Sequence, residues 1–183
     1  YYQGDAPDRV SSNDDGVWDY VQDPVSVTDS LSHTVTPAEF DIEPFVSEET
    51  LPEDIEGQIL DMTFDTAGRC WVSIAKDYPN DAGNNEDKIV ICEDVDNDGR
   101  ADEFTVFKDG LSIPLSIIAF GDGVLVSEVG SFDSDGRVVY FGDSDGDDVA
   151  DEEEVLFTGF GTWDTHAGLN QLHYGIDNWV YGV

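Results

Sequence analysis

Apolar residues come in short runs broken by Gly, Asp and Asn, and within many runs polarity alternates from one residue to the next. This texture begins near Phe40 and predicts an all-β fold, with strands near 58–64, 69–75, 88–93, 104–107, 115–119, 123–128, 136–142, 153–157, 169–174 and 178–182. No convincing helical period occurs anywhere. Residues 1–36 are rich in Asp, Ser and Pro without a period, and read as an acidic extended arm, with Trp18, Tyr20 and Val21 available to anchor it to a surface. The β domain then spans 37–183.

The pattern repeats. Asp94-Val-Asp-Asn-Asp-Gly-Arg-Ala-Asp102-Glu103 returns as Asp143-Ser-Asp-Gly-Asp-Asp-Val-Ala-Asp151-Glu152. Lys88-Ile-Val-Ile precedes the first cassette as Arg137-Val-Val-Tyr precedes the second, and Phe104-Thr-Val-Phe follows as Glu153-Glu-Val-Leu follows. Gly68-Arg-Cys-Trp-Val-Ser, Gly123-Val-Leu-Val-Ser and Asp177-Asn-Trp-Val-Tyr-Gly rhyme as the second strand of each unit. Units of about 50 residues with four short strands are the signature of β-propeller blades. A closed ring takes about four to eight of them. The chain holds two units and the start of a third, so further blades are expected from a longer protein or from partner chains. Pairing 69–75 with 88–93, with Ile74 facing Lys88, sets Cys70 opposite Cys92. A cross-strand disulfide and a pair of buried free thiols both remain open.

Charge narrows the partners. Forty-two Asp and Glu against seven Lys and Arg give a formal net charge of −35. That excludes nucleic acid and anionic membranes as expected partners. A saline habitat accounts for the excess acidity, because at molar salt the Debye length falls to ~3 Å and an acidic surface stops repelling itself. No apolar run approaches the ~18 residues of a membrane span. The start at Tyr1, without Met or an apolar leader, predicts a processed or trimmed N-terminus.

Candidate chemistry centres on the two cassettes. Carboxylates at positions one, three, five and nine of a tight loop converge at a cost unless a hard cation sits among them. The expected calcium ligands are Asp94, Asp96, Asp98 and Asp102 with the Arg100 carbonyl, and Asp143, Asp145, Asp147 and Asp151. These loops are not EF-hands: position twelve of the first is Thr105, and their flanks read as strands. The second has Asp148 where the first has Gly99, which predicts a strained turn. Low-affinity loops of this type suit a secreted or periplasmic protein, where calcium is plentiful. Separately, a Gly-rich loop delivers Asp164 and His166 just before a strand, with His166 a candidate general base and Asp164 its orienting partner.

From Phe40 to Val183 the chain resembles the propeller domain of the planctomycete-type membrane-bound dehydrogenase family. The matching phrases are Phe64-Asp-Thr-Ala-Gly-Arg-Cys-Trp-Val, Asp87-Lys-Ile-Val, Asp94 to Glu103 with Val106-Phe-Lys-Asp-Gly-Leu111, and Gly159 through Asp164-Thr-His166 to Gly182. That family is similar to soluble quinoprotein glucose and sorbosone dehydrogenases, six-bladed propellers holding pyrroloquinoline quinone beside calcium. The resemblance implies a sugar or alcohol substrate, His166 as acceptor of its hydroxyl proton, and a c-type cytochrome or another assembly subunit as partner. Ile176 and Asn178 stand where the family carries Pro and Gly, and no residue here is recognisable as a quinone ligand. A complete G-x-G-x-x-G fingerprint is absent, which argues against a nicotinamide enzyme. Two alternatives stay open: a non-catalytic propeller that docks into an extracellular or membrane-associated assembly, and a calcium-dependent lactonase-like hydrolase whose ion polarises a carbonyl.

Overall fold

The computed structural model describes residues 25–183. The anchor residues Trp18, Tyr20 and Val21 lie outside the described residues, as does most of the arm. The chain divides into two units, one ending at Ile42 and the other spanning Glu43–Val183. In the first unit a short helix, α1 (Val27–Ser32), is capped by Ser26, whose side chain accepts from the Asp29 N–H at 3.1 Å. The strand-only reading missed it because six residues are too few to display a helical period.

The second unit is all-β and antiparallel. Strands β1 (Gln58–Phe64), β2 (Cys70–Ala75), β3 (Asp87–Glu93) and β4 (Glu103–Leu111) form one four-stranded sheet in chain order. Strands β5 (Pro114–Phe120), β6 (Gly123–Glu128), β7 (Gly136–Gly142) and β8 (Glu152–Phe160) form a second with the same order. A short pair, β9 (His173–Tyr174) with β10 (Val180–Tyr181), follows. This last pair is shorter than expected because Gln171 and Asn178 adopt left-handed backbone, with φ of 53° and 63°, which interrupts extension on either side. Among the described residues no helix is long and apolar enough to cross a membrane.

Side-chain alternation builds two core layers. On β2 and β3, Trp71, Ile89 and Ile91 face the second sheet, where with Phe107 and Leu111 they meet Ile117, Val124, Val126, Val139 and Phe141. The intervening residues Cys70, Val72, Ile74, Val90 and Cys92 point the other way and are covered by Ile55, Phe45, Val46, Leu51 and Ile59. Both faces of β2 are thus dry, which is why it reads as a nearly continuous apolar run. Gly123 permits the close approach at the start of β6: a Cβ there would clash with the Phe141 carbonyl oxygen.

The repeat extends to irregularities. The β3–β4 register steps from Ile89↔Lys108 to Val90↔Val106, leaving Phe107 as the extra residue of a bulge; the β7–β8 register steps from Val138↔Phe157 to Val139↔Val155, leaving Leu156. The inner edges also correspond. Asp61 on β1 accepts from Ser116 Oγ (2.7 Å) and the Ile117 N–H (2.9 Å) on β5, while Ser116 Oγ accepts from the Leu172 N–H (2.9 Å). The segment leading into β9 therefore lies beside β5 much as β5 lies beside β1.

Cys70 pairs in register with Cys92, and both are buried free thiols. Burial pushes Cys70 up to about 11; burial together with the neighbouring Cys70 pushes Cys92 to about 12. Neither is a thiolate near neutral pH, so neither should be reactive in the fold. Ellman's reagent at pH 8 should leave the native protein untouched, then titrate both thiols in denaturant without reductant; no thiol released on denaturation would indicate a bridge instead. Ile89→Ala, which opens a hole between the sheets, should cost roughly 2–5 kcal/mol in urea unfolding.

Candidate functional site

The antiparallel order sorts the turns to two ends. The β1–β2, β3–β4, β5–β6 and β7–β8 turns lie at one end, and the β2–β3, β4–β5 and β6–β7 connections lie at the other with the segment after β8. Both acidic cassettes are at the first end. Asp164 and His166 are at the second.

The two acidic loops share one backbone. Left-handed residues fall at positions four and six of each: Asn97 (φ 62°) and Gly99 (φ 89°), then Gly146 (φ 79°) and Asp148 (φ 63°). Asn and Asp tolerate this region better than most side chains, so each loop needs only one Gly, in exchanged places. The expected strain at Asp148 takes this form, and its carboxylate is held by Arg69 Nη1 at 2.6 Å.

Within each loop the first aspartate gathers backbone donors. Asp94 accepts from the Asp98 (3.1 Å) and Gly99 (2.8 Å) N–H groups; Asp143 accepts from Gly146 (2.7 Å), Asp147 (3.3 Å) and Asp148 (2.9 Å). Three carboxylates then converge in each loop, Asp94, Asp96 and Asp102 in the first and Asp143, Asp145 and Asp147 in the second, with oxygens within 4.8 Å of one another. Two expected ligands fall outside these trios. Asp98 accepts from the Arg100 N–H at 2.9 Å, and both Asp151 oxygens are taken by Ser144, through its N–H at 2.8 Å and its hydroxyl at 2.6 Å. The first loop has Val95 in place of Ser144; its N–H engages a single Asp102 oxygen at 3.2 Å, and the other oxygen stays available.

Electrostatics in the second loop match this geometry. Asp145 is pushed above the usual carboxylate range, first by the Asp147 carboxylate, then by desolvation and by the charges of Asp151 and Asp143. Desolvation also acts on Asp143, but N–H donors from Asp148, Gly146, Asp147 and Asp145 outweigh it and hold that group low. The Ser144 hydroxyl and N–H hold Asp151 low. Oxygen-only donors of this sort suit a hard divalent cation and not a thiophilic one.

Beside the second loop, a cleft of about 480 Å³ is lined by Asp65, Arg69, Trp71, Asp122, Asp143 and Asp145. Arg69 spans it, bonding Asp65 at 2.7 Å and Asp148 at 2.6 Å, while the Trp71 indole N–H donates to Asp65 at 3.0 Å. One cation thus ties the β1–β2 turn of the first sheet to the acidic loop of the second.

At the opposite end, Asp164 caps a single 3₁₀ turn, Thr165–Ala167. Its Oδ1 accepts from the His166 N–H at 3.0 Å and lies 3.2 Å from His166 Nδ1. The His166 side chain is 68% exposed, so its ring can meet a solute. An imidazole oriented through Nδ1 leaves Nε2 free to accept a proton. The ring stands edge-on to Tyr78, with centroids 5.6 Å apart.

Residues 26–183 match the family described as a domain of unknown function, DUF7133. The chain belongs to that family. No curated protein sequence matches it. This DUF7133 chain therefore has to be read from its own residues.

Sequence reasoning missed Arg69, Ser144 and Tyr78. Ser144 lies inside the motif and was legible as a donor beside Asp151. Arg69 and Asp148 are 79 residues apart, and nothing local announces their contact. Because Asp145 is raised while Asp143 and Asp151 are lowered, acidification of the cation-free DUF7133 chain should protonate Asp145 first; carboxyl ¹³C NMR should show its midpoint above the other two, and the reverse order would contradict the crowding described.

Proposed function

We propose that this chain is part of an extracytoplasmic, calcium-binding β-propeller related to quinoprotein sugar and alcohol dehydrogenases, in which His166 acts as the general base. The observation that carries the architecture is the doubled unit: two four-stranded meanders with the same order, equivalent bulges at Phe107 and Leu156, and acidic loops with left-handed residues at matching positions. In the propeller reading β1, β5 and the segment entering β9 are successive inner strands, joined by the Asp61–Ser116–Leu172 contacts.

The face of the second sheet turned away from the first supports the same reading. Leu156 and Phe157 of β8 are exposed, and so are Trp163, Ile176 and Trp179 in the segment that follows. A third blade begun by β9 and β10 would cover that face, as the second sheet covers Trp71, Ile89 and Phe107 of the first.

Calcium fits the loops. Asp94, Asp96 and Asp102 would hold one ion and Asp143, Asp145 and Asp147 another, with carbonyl and water oxygens completing each shell. Both sites lie at the outer-strand turns and at the end opposite His166. The ions therefore brace hairpins and do not polarise a substrate, which weighs against the lactonase-like alternative. Loops of this kind work where calcium is abundant, which supports a secreted or periplasmic setting, and the net charge of −35 supports a saline one.

The quinone implied by the resemblance would accept a hydride. Its anionic groups need cations, and the described residues do not fit it: Arg69 is taken by Asp65 and Asp148, Lys76 by Glu56, Arg137 by Glu128 and Glu153, Lys88 by the Asp54 carbonyl, Lys108 lies over Phe141, and Arg100 stands in the first acidic loop at the end opposite His166. Only proton acceptance by His166 from a substrate hydroxyl is assigned to this chain, with Asp164 orienting the imidazole.

In the intact propeller, where cations outside the described residues would have to hold the quinone, calcium, pyrroloquinoline quinone and a redox dye should give dye reduction with a sugar or a primary or secondary alcohol. His166→Ala should lower that rate about 10²-fold or more. No reduction with any substrate, or an unchanged rate in the variant, overturns the catalytic reading. An inactive but calcium-loaded protein would leave standing the second reading, a non-catalytic propeller that docks on an assembly partner such as a c-type cytochrome.

A further inference from the structure

Three carboxylates are buried at the His166 end of the fold and take no part in the site described above. Asp87, fully buried, accepts from the N–H groups of Lys76 (2.6 Å), Asp77 (2.9 Å) and Ile113 (2.5 Å). Asp77, 1% exposed, accepts at Oδ2 from Ser112 Oγ (2.7 Å) and the Asn85 N–H (2.9 Å), while its Oδ1 has no partner. Glu128, 3% exposed, takes the Ser112 N–H (2.8 Å) and pairs with Arg137 (2.7 Å). Burying carboxylates is costly even when most of their lone pairs are satisfied.

What the network holds is the root of the β2–β3 loop, pinned at Asp77 and Asp87 to the β4–β5 connection at Ser112 and Ile113. Ser112 Oγ also receives the Gly83 N–H at 2.8 Å, so the far limb of the loop is tied to the same residue. Between those anchors stands Tyr78, one side of which packs on the buried cluster of Ile113, Leu115 and Val129. Its ring also meets His166 edge-on at 5.6 Å. The next residue, Pro79, accepts from the buried Thr165 hydroxyl at 3.1 Å, fixing the 3₁₀ turn that carries His166 to the same loop.

We propose that Tyr78 is a positioning residue for His166, held rigid by the buried Asp77–Ser112–Asp87 network, so that the orientation of the base is set by the β2–β3 loop, far earlier in the chain. This rests on the reading of His166 as the base, but the placement of its ring can be measured without any activity. An edge-on aromatic ring shifts the resonances of its neighbour and restricts its rotation. Tyr78→Phe keeps the ring and Tyr78→Leu removes it, and both are half-buried substitutions that spare the carboxylate network.

The experiment is an NMR comparison of the His166 ring protons in wild type and the two variants, with His166→Gln used for assignment. The expected result is that Tyr78→Leu moves the His166 resonances toward random-coil positions while Tyr78→Phe leaves them near wild type. In the quinone-dependent dye assay the Leu variant should lose up to about 10²-fold in kcat with KM little changed, and Phe should restore it. Unchanged His166 resonances in Tyr78→Leu, or equal displacement by Leu and Phe, overturns the proposal. If wild type reduces no dye while the resonances move as expected, the catalytic reading fails and the positioning role stands.

Discussion

Negative charge without enough positive charge to answer it is the constraint under which this fold is built. With six acidic residues for each basic one, ion pairing can satisfy only a few carboxylates. The remainder are solvated, fed by N–H and O–H donors, or gathered where a divalent cation can neutralise several at once. Each solution has its place. Asp94 and Asp143 collect the N–H groups of their own loops, Asp87 collects those of Lys76, Asp77 and Ile113, Asp77 takes the Ser112 hydroxyl and the Asn85 N–H, and the two aspartate trios stay open toward solvent. The scarce cations are used twice over: Arg69 bridges two carboxylates on different sheets, and Arg137 joins Glu128 to Glu153.

The distribution of these devices differs between the two ends of the sheets. One end of the sheets carries the acidic loops, where an ion would staple each outer hairpin and, through Asp148 and Arg69, bear on the contact between sheets. The other end carries the Asp164–His166 turn, and there the carboxylates are buried and serve to immobilise backbone. A solvent-facing imidazole on a short turn has little to fix it apart from its cap. The β2–β3 loop supplies that rigidity by contact with the core on one side and the histidine on the other.

Much of this was legible in the chain itself. The strands of both four-stranded sheets fall within a few residues of the apolar runs, although β4 and β8 run on through Asp109-Gly110 and Thr158-Gly159 to Leu111 and Phe160. The pairing of Cys70 with Cys92 followed from hairpin arithmetic, since register fixes every partner once one pair is set. The acidic trios followed from spacing, though Asp98 and Asp151 fall outside them. What the sequence hid was long-range: Arg69 reaching Asp148, Tyr78 meeting His166, and Asp61 joining β5. These depend on how sheets stack, and no local pattern encodes that. The short β9 and β10 were hidden differently, since Gln171 and Asn178 look unremarkable until their left-handed backbone is known.

The claim on which the account rests is that convergent aspartates in the two loops answer their mutual repulsion by binding calcium. Titration calorimetry of the protein with calcium, with magnesium as comparison, measures this directly. The expected isotherm has two calcium ions per chain, one lost in Asp94→Asn and the other in Asp143→Asn. A chain that takes up no calcium at millimolar concentration, or whose binding survives both substitutions together, would contradict it.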